Sequence, residues 1–254
     1  MKYLFLFIFL IQTLFISAQL KPLEAGQYSF SKGQKFNNNS GSSISLIKEK
    51  STQFLEKLNI NQIILKPGRS LKPEHFDHDL EKLILINQGE LTVTINKKPS
   101  ALKAGSVVLI LPSDTYSLSN LNKTETTCTV LSYKSKKNNS DKEHGKSTIY
   151  NIEDIPFKKT EKGGRRDFFN RATFMLERLE LHITYLNEGL ESHPPHRHIA
   201  EEIILLLDGS AKESIDGIEY LGSQKDFFFL PSNSFHGIKN SGLGQNSYFA
   251  FQFN

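Results

Sequence analysis

Residues 82–89, KLILINQG, and residues 202–209, EIILLLDG, are one phrase written twice. Each is a short aliphatic run that closes on polar residues and a glycine, the pattern of a buried strand ending in a turn. The repetition extends outward on both sides. Residues 55–60, LEKLNI, return as 176–181, LERLEL, and Gly68 returns as Gly189, each 121 positions later. Asn120 returns as Asn240, and TCTVLSY (127–133) as SYFAFQF (247–253), each 120 positions later. A period of this size kept along most of the chain marks a duplicated structural unit.

Within each copy, runs rich in Ile, Leu, Val, Phe and Thr are broken by turn signals such as LKPG (65–68), NQG (87–89), INKKPS (95–100) and LPSD (111–114). Short strands at this spacing predict an all-β protein, with one sandwich or closed barrel per copy and the two in tandem. The expected division is a lead-in over 19–53, a first barrel over 54–133, a linker over 134–148 and a second barrel over 149–254. Residues 31–51 read as polar and irregular, and a single helical turn is expected near 151–155.

Residues 1–18 stand apart. Lys2, an apolar run of about 15 residues and Ala18 form the pattern of a cleaved export signal, and the run is shorter than the roughly 20 residues that span a bilayer. Cleavage after Ala18 would begin the mature chain at Gln19 and leave a secreted or periplasmic protein with no membrane segment. Cys128 is the one cysteine, so packing or metal, not an internal disulfide, must stabilise an exported chain. Its setting, TTCTVLS, reads as a strand with a buried thiol. The net charge of +4 is modest and the lysines gather in the linker, as in KSKKNNSDKEHGK (134–146), which argues against a nucleic-acid surface.

The chemistry gathers in the second copy, where HPPHRHIAEEIILLLDG (193–209) sets three histidines and two acids before the repeated strand. His196 and His198 are two apart, so on an extended segment both leave the same face. Glu202 lies four further on, and His236 follows a Pro-Ser-Asn turn in DFFFLPSNSFHGIKN (226–240). Three imidazoles and a carboxylate at one end of a small barrel make a mixed nitrogen and oxygen site for one divalent transition metal ion, and Mn, Fe, Zn, Ni and Cu are not distinguished by such a set. A lone histidine in a β-protein is ordinarily a surface or satisfied core residue; four ligand types at this spacing favour the metal.

These residues resemble a family. HRHIAEEIILLLDG looks like the first cupin motif, His-x-His, three residues, Glu, six residues, Gly; DFFFLPSNSFHGIKN is similar to the second, Asp, four residues, Pro, four residues, His, three residues, Asn. The resemblance covers nearly all of the second copy and, more faintly, the first, so the chain looks like a bicupin. It implies two tandem jelly-roll β-barrels, a metal at the wider mouth, and His196, His198, Glu202 and His236 at the four usual ligand positions. One departure is Lys225, where the second motif usually has Gly.

The first copy lacks the ligand pattern. His75 and His78 are separated by two residues and would face opposite sides of a regular strand, Lys82 stands at the Glu202 position and Tyr116 at that of His236. A metal-free barrel is expected there, with Glu81 or Asp79 as the remaining route to a weak site if the strand carries a bulge. Elsewhere, His182 alternates with leucines and is a candidate to point into the barrel, as are Ile204 and Leu206, which share the Glu202 face and would give a substrate cavity an apolar floor. His193 reads as a loop residue or as a partner to a ligand imidazole. Arg165 and Arg166 read as a solvated turn or an anion contact, and Phe227, Phe228 and Phe229 as packing.

Fold does not give function. What the resemblance implies ranges over oxygen-dependent cleavage, decarboxylation, isomerisation, lyase and hydrolase chemistry, and some cupins only bind a ligand. The layout resembles that of ureidoglycine aminohydrolases, but the ligand set does not follow them, so their substrate is not carried over. Two readings stay open: a metal-dependent enzyme acting on a small organic molecule, with no general acid or base assignable by spacing, and a non-catalytic bicupin that binds a small molecule such as a carbohydrate. A homodimer through an exposed strand edge fits either.

Overall fold

The computed structural model describes residues 20–71, 79–112, 114–137 and 146–254. Two seven-stranded antiparallel sheets with matching strand order dominate it. The first runs Thr148–Tyr150, Val107–Ile110, Glu81–Gln88, Thr126–Ser135, Leu55–Leu65, Gly41–Lys50, Gln34–Asn38; the second runs Gly26–Ser29, Asp226–Leu230, Glu201–Asp208, Asn246–Phe253, Leu179–Leu186, Gly163–Arg171, Lys158–Thr160. A four-stranded sheet faces the first and a three-stranded sheet, Ile218–Ser223, Ser210–Ile215 and His236–Asn240, faces the second. Each half is therefore an open two-sheet jelly roll and not a closed barrel.

Alternation along the strands decides which core each side chain enters. In Glu201–Asp208 the side chains of Ile204 and Leu206 join Ala211, Ile215 and Phe228 inside the second jelly roll. Ile203 and Leu205 leave the other face. There they meet Phe227, Phe249, Phe251 and, from the first half, Leu55, Leu58, Leu83, Leu131 and Tyr133 in one cluster between the two large sheets. Both faces of these strands are thus buried, which explains why the repeated phrase is a continuous apolar run with no polar alternation.

The ends of the repeat are exchanged. Gly26–Ser29 precedes the first half but pairs with Asp226–Leu230 of the second; Thr148–Tyr150 precedes the second half but pairs with Val107–Ile110 of the first. Short 3-10 turns, Phe30–Lys32 and Ile152–Asp154, follow the two exchanged strands, the latter where a helical turn was expected. The stretch 31–51, expected to be irregular, instead forms the hairpin Gln34–Asn38 and Gly41–Lys50 at the sheet margin. Its serines and asparagines lie half exposed there, so they carry strand structure without an apolar signal. Gly41 is required by close approach: a Cβ would lie 1.9 Å from the Ile64 carbonyl oxygen, and at its counterpart Gly163 it would lie 2.2 Å from that of Tyr185. The proposed signal, residues 1–18, and most of the linker lie outside the described residues.

Two buried acids join the halves across the shared core. Glu201 accepts hydrogen bonds from the Thr52 hydroxyl, from Gln53 N at 2.9 Å and from Phe54 N at 3.2 Å. Its counterpart Glu81 accepts from the Tyr133 hydroxyl at 2.7 Å and from Met175 N at 2.9 Å. The turns they hold are themselves copies, since Leu55 N donates to Thr52 Oγ1 at 3.0 Å and Leu176 N to Thr173 Oγ1 at 3.1 Å. Glu81 is consequently committed to the interface and cannot serve a metal. Removing either acid strands buried donors, so Glu81→Ala and Glu201→Ala are each expected to lower the unfolding free energy by about 2–3 kcal/mol. The measurement is the shift of the urea midpoint, and either change should leave metal content, which depends on side chains of the opposite face of the sheet, unchanged.

Candidate metal centre

The loop before Glu201–Asp208 is fixed by backbone pairing rather than by regular strand. His196 N donates to His236 O at 3.0 Å, and His236 N to His196 O at 2.8 Å, which sets the first ligand beside the last. Asn233 N donates to His198 O at 2.8 Å. Pro195 packs over Gly237, where a Cβ would come within 3.1 Å of its ring, so a small residue next to His236 lets the loop lie down. Glu202 projects inward from the first turn of the strand.

The three imidazoles offer ligand atoms within 4.8 Å of one another. His198 Nδ1 lies 2.8 Å from Ala200 O and His236 Nδ1 lies 2.9 Å from Ser234 O. A backbone carbonyl can only accept, so both rings carry a proton on Nδ1, and in the neutral form each turns a bare Nε2 inward, the tautomer a metal needs. Those Nε2 atoms lie 3.2 Å (His198) and 3.5 Å (His236) from Glu202 Oε2. Gln252 Nε2 donates to the same oxygen at 3.3 Å and steadies the carboxylate. Buried His236 Nε2 and His196 Nδ1 have no hydrogen-bond partner. Buried orphan nitrogens around an ionised carboxylate fit a divalent cation, which His196, His198, Glu202 and His236 would hold.

Electrostatics agree with that donor set. Burial by itself would raise the Glu202 carboxyl, but the neighbouring imidazoles of His198 and His236 overcome it and hold the group at about 2. The hydrogen bond to Glu202 raises His198 above the ordinary imidazole range, whereas burial and the neighbouring His193, His236 and His198 lower His196. His193 is exposed and packs edge-on against His196, with ring centroids 4.3 Å apart.

Behind the ligands is a cavity of about 140 Å³. His182 and Ile204 line it, as does Arg165; Leu206, expected on its floor, is instead sealed in the apolar cluster two residues further along the strand. Arg165 lies in a strand, not a solvated turn, and donates from Nη2 to Glu180 Oε1 at 2.8 Å; Arg178 pairs with the other oxygen of the same carboxylate. His182 Nδ1 lies 3.5 Å from Glu180 Oε1. His182 foremost, with Arg165 and Arg178, holds the Glu180 carboxyl down at about 2. Arg166 turns away, donating to the Ile155 carbonyl. Three further lining groups, Glu213, Tyr248 and Gln252, had no motif to announce them. The available signal was position: Glu213 occupies an inward site between Ala211 and Ile215, where the first copy has Val93.

In the first jelly roll, buried Lys82 lies 3.4 Å from the Leu80 carbonyl and Asp79 is paired with Lys134 at 3.6 Å. His75 and His78 lie outside the described residues. Among the described residues, His196, His198 and His236 are the one grouping of at least three His, Cys, Asp or Glu ligands that could share an ion. Lys225 departs from the second motif in residue type but not in shape: it adopts φ +76°, as its counterpart Gly105 adopts +90°, and Lys225 N donates to Leu206 O as Gly105 N does to Ile86 O.

The fold and the site thus define a double jelly roll with a three-histidine, one-glutamate cluster at the mouth of its second half. Residues 182–250 match the family model described as the cupin domain, and the fold of the whole chain is that of cupin structures. No curated protein matches it by sequence. Among solved structures it is similar to protein Ylba from E. coli (TM-score 0.71, 13% identity, covering 94% of this chain and 95% of that one). It is likewise similar to the oxalate decarboxylase of Lactobacillus farciminis in its formate complex (TM-score 0.71, 13% identity, 91% and 87%). A third is a cupin 2 conserved barrel domain protein from Leptotrichia buccalis (TM-score 0.60, 14% identity, 93% and 100%).

Ion binding at such a site needs neutral imidazoles and an ionised glutamate. Glu202 meets this condition throughout the neutral and mildly acid range, so the histidines set the pH dependence, and His198 protonates before His196 as pH falls. Affinity for Zn²⁺ or Mn²⁺, measured by titration, is expected to drop progressively from about pH 7 to about pH 5. His198→Ala should weaken binding at pH 7 and flatten the upper part of that curve.

Proposed function

We propose that the second jelly roll is the active site of a metal-dependent enzyme that acts on a small organic molecule, with one divalent transition metal ion held by His196, His198, Glu202 and His236. The observation that carries this reading is the pair of inward Nε2 atoms set by backbone carbonyls around an ionised, buried carboxylate. An ion bound there supplies Lewis-acid polarisation of a substrate oxygen. The residues of the chain do the rest: Gln252 orients Glu202, the wall of Arg165 and His182 meets polar groups of the substrate, and Ile204 and Ala250 exclude water from the floor.

The volume of the cavity bounds the substrate. A space of about 140 Å³ is comparable to one that accommodates a benzene-sized molecule. The non-catalytic alternative, a binding protein with an ion that anchors its ligand, is favoured by one observation: Arg165, Arg178 and Glu180 satisfy one another, which suits a fixed recognition wall. Turnover separates the two. Oxalate, glyoxylate, sugar acids and ureides form the panel, and metal-dependent consumption of any of them supports the enzyme.

The ligand assignment has its own check. Purified protein is expected to hold one tightly bound ion per chain by elemental analysis, and the His196→Ala, His198→Ala double variant to hold none while remaining folded, since the first jelly roll shows that the frame stands without these ligands. An ion retained by the double variant would overturn the assignment. We also propose, from residues 1–18, that the chain is exported; the mature protein should begin at Gln19 by N-terminal sequencing.

A further inference from the structure

Glu213 sits in the middle of Ser210–Ile215, completely buried, and neither carboxyl oxygen has a hydrogen-bond partner. The Gly237 N–H lies near it but outside hydrogen-bond geometry. It faces the same cavity as His196, Glu202 and His236. Two unmet acceptors in the interior of a protein are costly, and native structures rarely keep them without a use.

The duplication supplies the comparison. The equivalent of Glu213 is Val93, equally buried, packed among Ile84, Leu91 and Ile95 inside the first jelly roll. Flanking positions correspond closely, Leu91 to Ala211 and Ile95 to Ile215, and all four are inward and apolar. The frame is therefore satisfied by an aliphatic side chain at this position. A carboxyl there serves something other than the fold.

We propose that Glu213 is a substrate-binding residue whose carboxyl hydrogen-bonds an oxygen of a compact, oxygen-rich acid lying between it and the metal ligands. Burial first, and then the Glu202 carboxylate, pushes the Glu213 carboxyl well above the usual range, so the group is held as the neutral acid and can donate as well as accept. A neutral donor next to Glu202 adds no second negative charge to repel an anionic ligand. With the volume given above, the ligand has roughly five to eight non-hydrogen atoms and at least two oxygen functions, one toward Glu213 and one toward the histidines. Hydroxy, keto and dicarboxylic acids of two to four carbons have this form. The inference rests on the metal-site reading and adds to it the group opposite the ligands.

Three measurements on the full-length mature protein test it, with Glu213→Val and Glu213→Gln as variants and oxalate, glyoxylate and glycolate as probes. In metal-free protein, Glu213→Val should raise the melting temperature by about 3–6 °C, because it removes an unsatisfied buried carboxyl and installs the residue the other copy uses. In metal-loaded protein, both variants should keep one ion per chain. At least one probe should raise the melting temperature of the parent, Glu213→Val should abolish that response, and Glu213→Gln, which still donates, should retain part of it. A lower melting temperature for Glu213→Val, or a probe response it leaves unchanged, would overturn the proposal. Loss of the ion in Glu213→Val would make the residue a metal ligand instead, and a parent that responds to none of the three acids would overturn the ligand class. Absence of the ion from the parent would sink the metal reading itself, and is told apart by the elemental analysis.

Discussion

The packing of the two large sheets against each other is the constraint from which the rest follows. Their facing residues, Leu83, Leu131 and Tyr133 on one side and Ile203, Phe227, Phe249 and Phe251 on the other, form a single apolar layer. A strand with one face in this layer and the other in its own jelly roll has no face left for water. That is why the central strands are aliphatic throughout, and why the polar residues that do occur on them are committed. Glu201 and Glu81 enter the layer and are buried at the cost of desolvation, offset for Glu201 by three hydrogen bonds from the opposite half and for Glu81 by one from Met175 of the opposite half and one from Tyr133 of its own. Glu202, one residue along, enters the jelly roll instead, and there the partners that hold its charge are imidazoles.

Because the same frame is built twice, differences between the copies separate folding from function. Asn120 and Asn240 are both buried and do the same work: each donates from Nδ2 to a carbonyl of the preceding long strand, Leu65 O at 2.9 Å and Leu186 O at 2.8 Å, and accepts from the turn that follows. Thr52 with Thr173, Glu81 with Glu201 and Gly41 with Gly163 are matched in the same way. At the mouth the correspondence stops. Lys82 corresponds to Glu202, Tyr116 to His236, Val93 to Glu213 and Ser132 to Gln252 across the repeat, and every one of these changes brings a polar group to the lining of the second copy's cavity.

Much of this was legible in the sequence for a physical reason. Period-two burial assigns Ile204 to the interior, and a fixed motif spacing brings His196, His198, Glu202 and His236 together because the turns between them are short. What stayed hidden depended on contacts between residues far apart in the chain. Nothing near Glu201 signals that its partners are Thr52, Gln53 and Phe54, so it reads as a bystander to Glu202. The hairpin over 34–50 was read as irregular because a margin strand rich in Ser and Asn buries too little to show alternation. Glu213 was concealed by its surroundings, since an acid in SAKESI looks like one more polar residue until the register places it on the inward side.

The exchanged strands show what the first half does for the proposed site in the second. Asp226–Leu230 leads through Pro231 to His236, and on its outer edge it pairs with Gly26–Ser29, which enters from the start of the chain; Tyr28 stacks on Phe227 with ring centroids 5.0 Å apart. The strand that carries Glu202 pairs with Asp226–Leu230 on its inner edge and presents Ile203 and Leu205 to the first half. Without the first half, the strands beneath the ligands would have a bare edge and a bare apolar face, and such a sheet does not hold side chains within the few tenths of an ångström that ion binding requires. The first jelly roll thus contributes to the proposed metal centre by rigidity: it is the second wall of the sheet on which Glu202 stands.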